Sequence, residues 1–172
     1  TRFPGTELVG AAYSGPVFNL ADGGPAGAFR VLAGDFVTTE DGTGIVHIAP
    51  AFGEDDYRVA AENGIFDPTD AATLYNPVGL DGKFDRRVAG FEGRFVKDPE
   101  VTSDLIADLR GRGLLFREEA YEHSYPHCWR CDTPLLYYAK SSWYVATSQA
   151  REQLLANNEE IGWHPEHIKH GR

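Results

Sequence analysis

Basic residues are in short supply. Sixteen Lys and Arg stand against 26 Asp and Glu over 172 residues, a net charge of −10. Broad, non-specific phosphate binding depends on clustered cations, so this balance excludes it. Any nucleic acid must be met over a small footprint, with affinity supplied elsewhere. Cysteine is scarcer still, with only Cys128 and Cys131, too few for a disulfide framework. No apolar run approaches the roughly 18 to 20 residues of a membrane helix, and no signal-peptide pattern opens the chain. A soluble, cytoplasmic protein without a membrane partner is the expectation. No P-loop, dinucleotide fingerprint or nucleophile elbow appears, and neither does an internal repeat.

What is present is the composition of a folded domain, 42% hydrophobic and 12% aromatic, which excludes disorder and coiled coil. Residues 7–13, 28–38 and 45–49 read as short strands, the first two separated by the Gly/Pro-rich "ADGGPAG" and the third preceded by the turn "EDGTG". Pro50 and Gly53 end the third, and "EDDYRVAAENG" reads as a helix with acids in its first turn and Gly64 at its close. "LDGKF" predicts a hairpin and "GFEGRFV" a strand. A second helix follows, with Asp98 as cap, Pro99 at its first position and Val101, Leu105 and Leu109 on one face. Residues 114–121 and "LLYYAKSSWYVAT" return as strands around the knuckle "YPHCWRC", and "SQAREQLLANNEE" reads as a last amphipathic helix. The polar C-terminal stretch "WHPEHIKHGR" reads as continuing into a longer parent. The order of elements is α+β, β-rich with helices scattered singly.

Three groups of residues invite a chemical reading. Glu54, Asp55 and Asp56 fit a helix start, where each acid gains roughly 0.3 to 1 kcal/mol from unpaired amide dipoles. On pattern alone that electrostatic reading comes first, and the alternative is a carboxylate turned into a cleft to bind an ammonium group. His47 shares a strand face with Ile45 and Ala49, the pattern of a hydrogen-bonded histidine as much as of a reactive one. Cys128-x-x-Cys131 has the spacing of two corners of a zinc tetrahedron, yet no second pair completes it; inert thiols and a redox pair follow in that order. The aromatic run after the knuckle has strand periodicity and few interleaved cations, so a sheet core is favoured over base stacking.

Together, "GTGIVHIAPAFGEDDY", "HSYPHCWRCDTPLLYYAKSSWYV" and "NNEEIGWHPEHIKHGR" closely resemble isoleucyl-tRNA synthetases, specifically the later portion of the editing domain inserted in the catalytic core and called connective peptide 1. The resemblance implies a β-rich, barrel-like editing domain of class I synthetases, with residues 1–122 in its core and 123–172 forming the Cys knuckle and the return toward the synthetase core. It implies hydrolysis of valine misesterified to tRNA(Ile), presented on the acceptor end. One methylene gives only ~1 to 3 kcal/mol of discrimination, the established magnitude for this very pair of amino acids, so a second sieve is needed. The family's amino-anchoring aspartate falls on Asp56 and its pocket histidine on His47, with Thr43 and Phe52 as neighbours. Other bacterial members usually carry a histidine where Phe52 stands. The threonine-rich opposite wall and the partner Cys pair for Cys128 and Cys131 are expected upstream, which leaves a zinc half-site here. ATP and Mg belong to the parent core, and the remainder of the synthetase is the expected protein partner. The competing readings are a zinc-knuckle structural or tRNA-positioning module and a folded but inactive fragment.

Overall fold

In a computed structural model, residues 3–15, 20, 24–40, 43–120 and 122–171 are described. Parts of four sequence readings lie outside them: residues 21–23 of the Gly/Pro-rich link, residues 41 and 42 of the "EDGTG" turn, residue 121 at the end of an expected strand, and residue 172 of "WHPEHIKHGR". The chain divides into two compact units, Thr1–Ala139 and Lys140–Arg172. The knuckle and residues 132–139 therefore fall within the first unit.

Helix α1 (Glu54–Glu62) follows a capless N-terminus at Gly53 and closes where Gly64 takes φ 68°, a left-handed conformation that glycine adopts without steric cost. Helix α2 (Pro99–Gly111) has the predicted cap, the Asp98 carboxylate accepting from the Glu100 amide at 2.9 Å with Pro99 at the first position. Val101 is fully buried beneath it. Between them the "LDGKF" turn forms a tight hairpin, with Gly79 N donating to Lys83 O at 2.9 Å and Val78 bridged to Phe84. The Asn76, Asp81 and Asp85 side chains each accept from a backbone amide two residues ahead, the local turn chemistry these residues favour.

The core gathers on this hairpin. Val78, Phe84, Val88 and Val101 form its buried centre, with Leu20, Phe52, Phe91, Val96, Leu105 and Tyr138 packed around them. Each fully buried side chain of this size contributes ~1.5–3 kcal/mol.

No sheet forms among the described residues, so the expected β-rich barrel is not seen there. Among the described residues, pairing is confined to isolated antiparallel bridges, Ala12 to Arg30, Leu20 to Val88, Val78 to Phe84, Lys83 to Phe95 and His127 to Pro134. A strand persists only where a ladder satisfies its amides and carbonyls, and here the candidate strands are interrupted or unpartnered. Gly5–Leu8 is a short 3-10 helix and Gly10 has φ 86°, which restricts the first pairing to residues 10–13 against 29–31. Gly90 and Gly93 at φ 85° and 76° turn "GFEGRFV" into a series of turns. Residues 45–49 and 114–120 join no ladder.

The second unit is built on α3 (Arg151–Glu160), which buries none of its residues; the expected helix is present, but its apolar residues Leu154 and Leu155 stay half exposed. The Lys169 ammonium meets the Glu159 carboxylate at 2.7 Å, and Asn158 Nδ2 donates to Lys169 O, tying the 3-10 helix Glu166–His170 to α3. The lysine holds the Glu159 carboxyl below its ordinary range. No described helix is long and apolar enough to cross a membrane.

Candidate functional site

The segment 43–57 runs from an irregular arm through a tight turn into α1. At its start, the Thr43 hydroxyl donates to Ile45 O and accepts from Ile45 N, at 3.2 and 3.3 Å, so this candidate contact residue is engaged by its own backbone. Ile45, Val46 and His47 are all exposed, Ile45 at 63%. Ile48 and Ala49 are half-buried, so exposure falls along the arm without the alternation read from the sequence.

The turn is closed twice. Phe52 N donates to Ala49 O at 2.8 Å, and Ala49 N donates to Asp56 Oδ2 at 3.1 Å. The second bond reaches from the first turn of α1 back over Gly53 to the end of the arm. It separates the three acids. Asp55 faces outward, where Arg58 pairs with it at 3.2 Å and with Asp35 at 2.9 Å. That guanidinium holds the Asp35 carboxyl below the usual carboxylate range, chiefly through its hydrogen bond. Glu54 is exposed. Asp56 is half-buried and turned inward. Helical spacing carries this signal in the sequence: Asp56 lies three and four residues before the buried Val59 and Ala60, whereas Asp55 shares its stripe with Arg58 and Glu62.

Beside the turn lies a recess of about 210 Å³ lined by Pro50, Ala51, Phe52, Gly53, Glu54, Tyr57 and the stretch Tyr137, Tyr138 and Ala139. Ala139 N donates to Ala51 O at 2.8 Å, the Tyr138 ring meets Phe52 edge-on at 6.0 Å, and the Tyr138 hydroxyl donates to Val78 O at 2.6 Å. The aromatic wall from residues 137–139 escaped the sequence reading, which placed that stretch in a sheet core. Of the predicted residues, Phe52 lines the recess and Asp56 sits behind its Gly53 edge; His47 and Thr43 do not line it. No hydrogen bond or ion pair joins His47 to Asp56. A larger open groove of about 910 Å³ lies along the hairpin, shares no lining residue with this recess, and mixes Lys83, Arg86 and Arg87 with Asp81, Asp85 and Glu92.

The knuckle folds as a compact turn. Cys128 N donates to Thr133 O, Asp132 N donates to Cys128 O, and Leu135 N donates to Pro126 O, at 2.8 to 3.0 Å. Cys131 Sγ lies 3.1 Å from the Thr133 hydroxyl. That contact, the Thr133 amide and the Cys128 thiol hold the Cys131 thiol below its ordinary value. His127 Nδ1 is 2.9 Å from Tyr125 O. No cluster of three or more His, Cys, Asp or Glu suited to a metal forms among the described residues, so the donor set offers two thiols of the four ligands that zinc takes.

No protein-family model matches the chain. Curated relatives do. The chain is 48% identical over 169 residues, 98% of its length, to the isoleucine-tRNA ligase of Bdellovibrio bacteriovorus. It is 45% identical over 168 residues to isoleucine-tRNA ligase 2 of Bacillus cereus, and 44% identical over 171 residues to the isoleucine-tRNA ligase of Thermoplasma acidophilum. It spans about 15% of the length of these relatives.

Proposed function

Because the chain is homologous over 98% of its length to a segment of isoleucine-tRNA ligases, we propose that it is the part of such a cytoplasmic ligase that edits, hydrolysing valyl-tRNA(Ile). The observation that carries this reading is the inward turn of Asp56, with one carboxylate oxygen engaged by Ala49 N and the side chain half-buried beside an aromatic recess. Helix-dipole decoration alone does not require such a turn, and Asp55, one residue earlier, does not make it.

In the proposed reaction the tRNA acceptor end brings an aminoacyl ester whose α-ammonium pairs with Asp56, a charge-assisted contact that fixes the carbonyl. Water adds to the carbonyl carbon, the bond to the ribose oxygen breaks, and valine and uncharged tRNA leave. The ester is already reactive, so orientation supplies most of what is needed. His47, two residues before Ala49 along the arm, is the proposed selector against the longer isoleucine side chain. Phe52 contributes the apolar wall, and Thr43 borders the arm. Cys128 and Cys131 would supply two thiolates to a structural zinc, the other ligands coming from elsewhere in the ligase, and no step of the hydrolysis passes through it. ATP and Mg serve aminoacylation in the remainder of the ligase.

The test uses the full-length ligase carrying this segment. Asp56→Ala should lower hydrolysis of valyl-tRNA(Ile) by about 100-fold, the scale of a lost orienting contact, with the melting temperature little changed. Hydrolysis at the parental rate would reject the assignment. A second reading, the knuckle as a tRNA-positioning module, draws on Trp129, which is 85% exposed with the Arg130 guanidinium 4.5 Å over its ring. Stacked aromatic and Arg pairs of this kind serve single-stranded bases. Under that reading, Trp129→Ala weakens tRNA affinity and Asp56→Ala does not slow hydrolysis.

A further inference from the structure

The glycine between the turn and α1 is unexplained by its own backbone. Gly53 has φ −142° and ψ 141°, extended geometry that any residue adopts. Its missing side chain matters for another reason. A Cβ placed on Gly53 would lie 2.6 Å from Asp56 Oδ2 and 2.9 Å from Asp56 Cγ, well inside van der Waals contact. The group that must yield is the end of a short side chain, so the fold can absorb the change while the carboxylate cannot keep its place.

We propose that Gly53 is a positioning residue: the space left by its absent side chain lets Asp56 lay Oδ2 against the Ala49 amide, which leaves Oδ1 aimed for the substrate ammonium. This rests on the editing role proposed for Asp56. The two oxygens divide the work. Oδ2 is fixed at 3.1 Å by a backbone donor, and no hydrogen bond or ion pair to Oδ1 is made by any described residue. An anchor held at one oxygen presents the other in a single orientation, and orientation is what hydrolysis of an activated ester requires. Any side chain at position 53 rotates the carboxylate off Ala49 and misdirects both oxygens.

Two measurements test this. In the 172-residue chain, the Ala49 amide should be protected from hydrogen exchange with solvent, because the Asp56 carboxylate accepts from it. In Gly53→Ala that protection should vanish while the resonances of α1 keep their dispersion; Asp56→Ala provides the reference for its loss. In the full-length ligase, Gly53→Ala should lower kcat for valyl-tRNA(Ile) hydrolysis by about 10-fold or more. Combined with Asp56→Ala it should add nothing further, the signature of two residues acting through one group. Persistence of the Ala49 protection in Gly53→Ala overturns the proposal, as does loss of the folded spectrum, since the backbone at 53 accepts any residue. It is equally overturned if Asp56→Ala abolishes hydrolysis and Gly53→Ala does not. If Asp56→Ala itself leaves hydrolysis intact, the editing role falls, and the Ala49 protection still decides whether Gly53 sets the carboxylate.

Discussion

Two neighbouring stretches of the first unit handle their backbones in opposite ways. Residues 76–105 carry the buried centre of the core, with Leu20, Phe52 and Tyr138 packed against it from outside. Turn side chains cap the loose amides, the hairpin pairs with itself, and Val78, Phe84, Val88 and Val101 exclude water. Residues 43–57 are half finished. The arm at 45–49 has no ladder and exposes Ile45 and Val46, yet its last amide is held by the Asp56 carboxylate. The lesson is that stability and candidate chemistry are separated along the chain. The hairpin and α2 supply a rigid block, and the residues proposed for recognition sit on the segment least able to stabilise itself.

The largest effect that distinguishes the two stretches is expected from core truncation. Phe84 is 9% exposed and packs edge-on against Phe91, so Phe84→Ala should cost ~3 kcal/mol or more. Ile45→Ala, at a side chain 63% exposed, should fall within about 0.5 kcal/mol of the parent. Denaturant midpoints of both variants check this. Comparable losses at both positions would break the contrast.

How much of this was legible depends on how far each signal reaches along the chain. The first-turn acids and Gly64 of α1, and Asp98 and Pro99 of α2, were readable because each acts within one turn of the residues it controls. The "LDGKF" hairpin was readable for the same reason. The strands were overread, since alternation at 45–49 or in "GFEGRFV" says that a segment can pair and not whether a partner lies beside it. The resemblance of motifs picked out Asp56, but not that it would turn onto Ala49 while Asp55 joined Arg58; the spacing to Val59 and Ala60 held that signal. The wall from Tyr137 to Ala139 was not readable at all, because it meets Ala51 and Phe52 across more than 80 residues, a separation that no local pattern encodes.

A smaller effect sharpens the account of the rigid block. The Asp98 carboxylate satisfies the Glu100 amide at the head of α2, and its replacement by alanine should cost ~1 kcal/mol. Asp98→Asn retains an acceptor and should recover most of that loss. Thermal denaturation of the two variants measures the difference, and equal destabilisation by both would show that charge, not the cap bond, matters at this position.

The smallest effect concerns pH. Asp85 accepts from the Arg87 amide at 2.8 Å and is gripped by its guanidinium, with Nε 2.9 Å from Oδ2. Arg87 also donates to Asn76 O and lies 4.8 Å over the Tyr75 ring. The Arg87 side-chain hydrogen bond first, then the Arg87 amide and the Arg87 and Arg86 charges, lower the Asp85 carboxyl below its ordinary value. A carboxyl depressed in the folded state stabilises that state above the unfolded carboxyl value, and the contribution is lost as pH falls through the lower, folded one. Because the Asp85 side chain is 37% exposed, solvent screening holds the contribution to about 0.5–1 kcal/mol. The stability difference between the parent and Asp85→Asn should therefore be complete at neutral pH, begin to shrink below about pH 4, and close in stronger acid. A difference that stayed constant across that range would mean that Asp85 acts through the shape of its turn, which asparagine preserves in part, and not through its charge on Arg87.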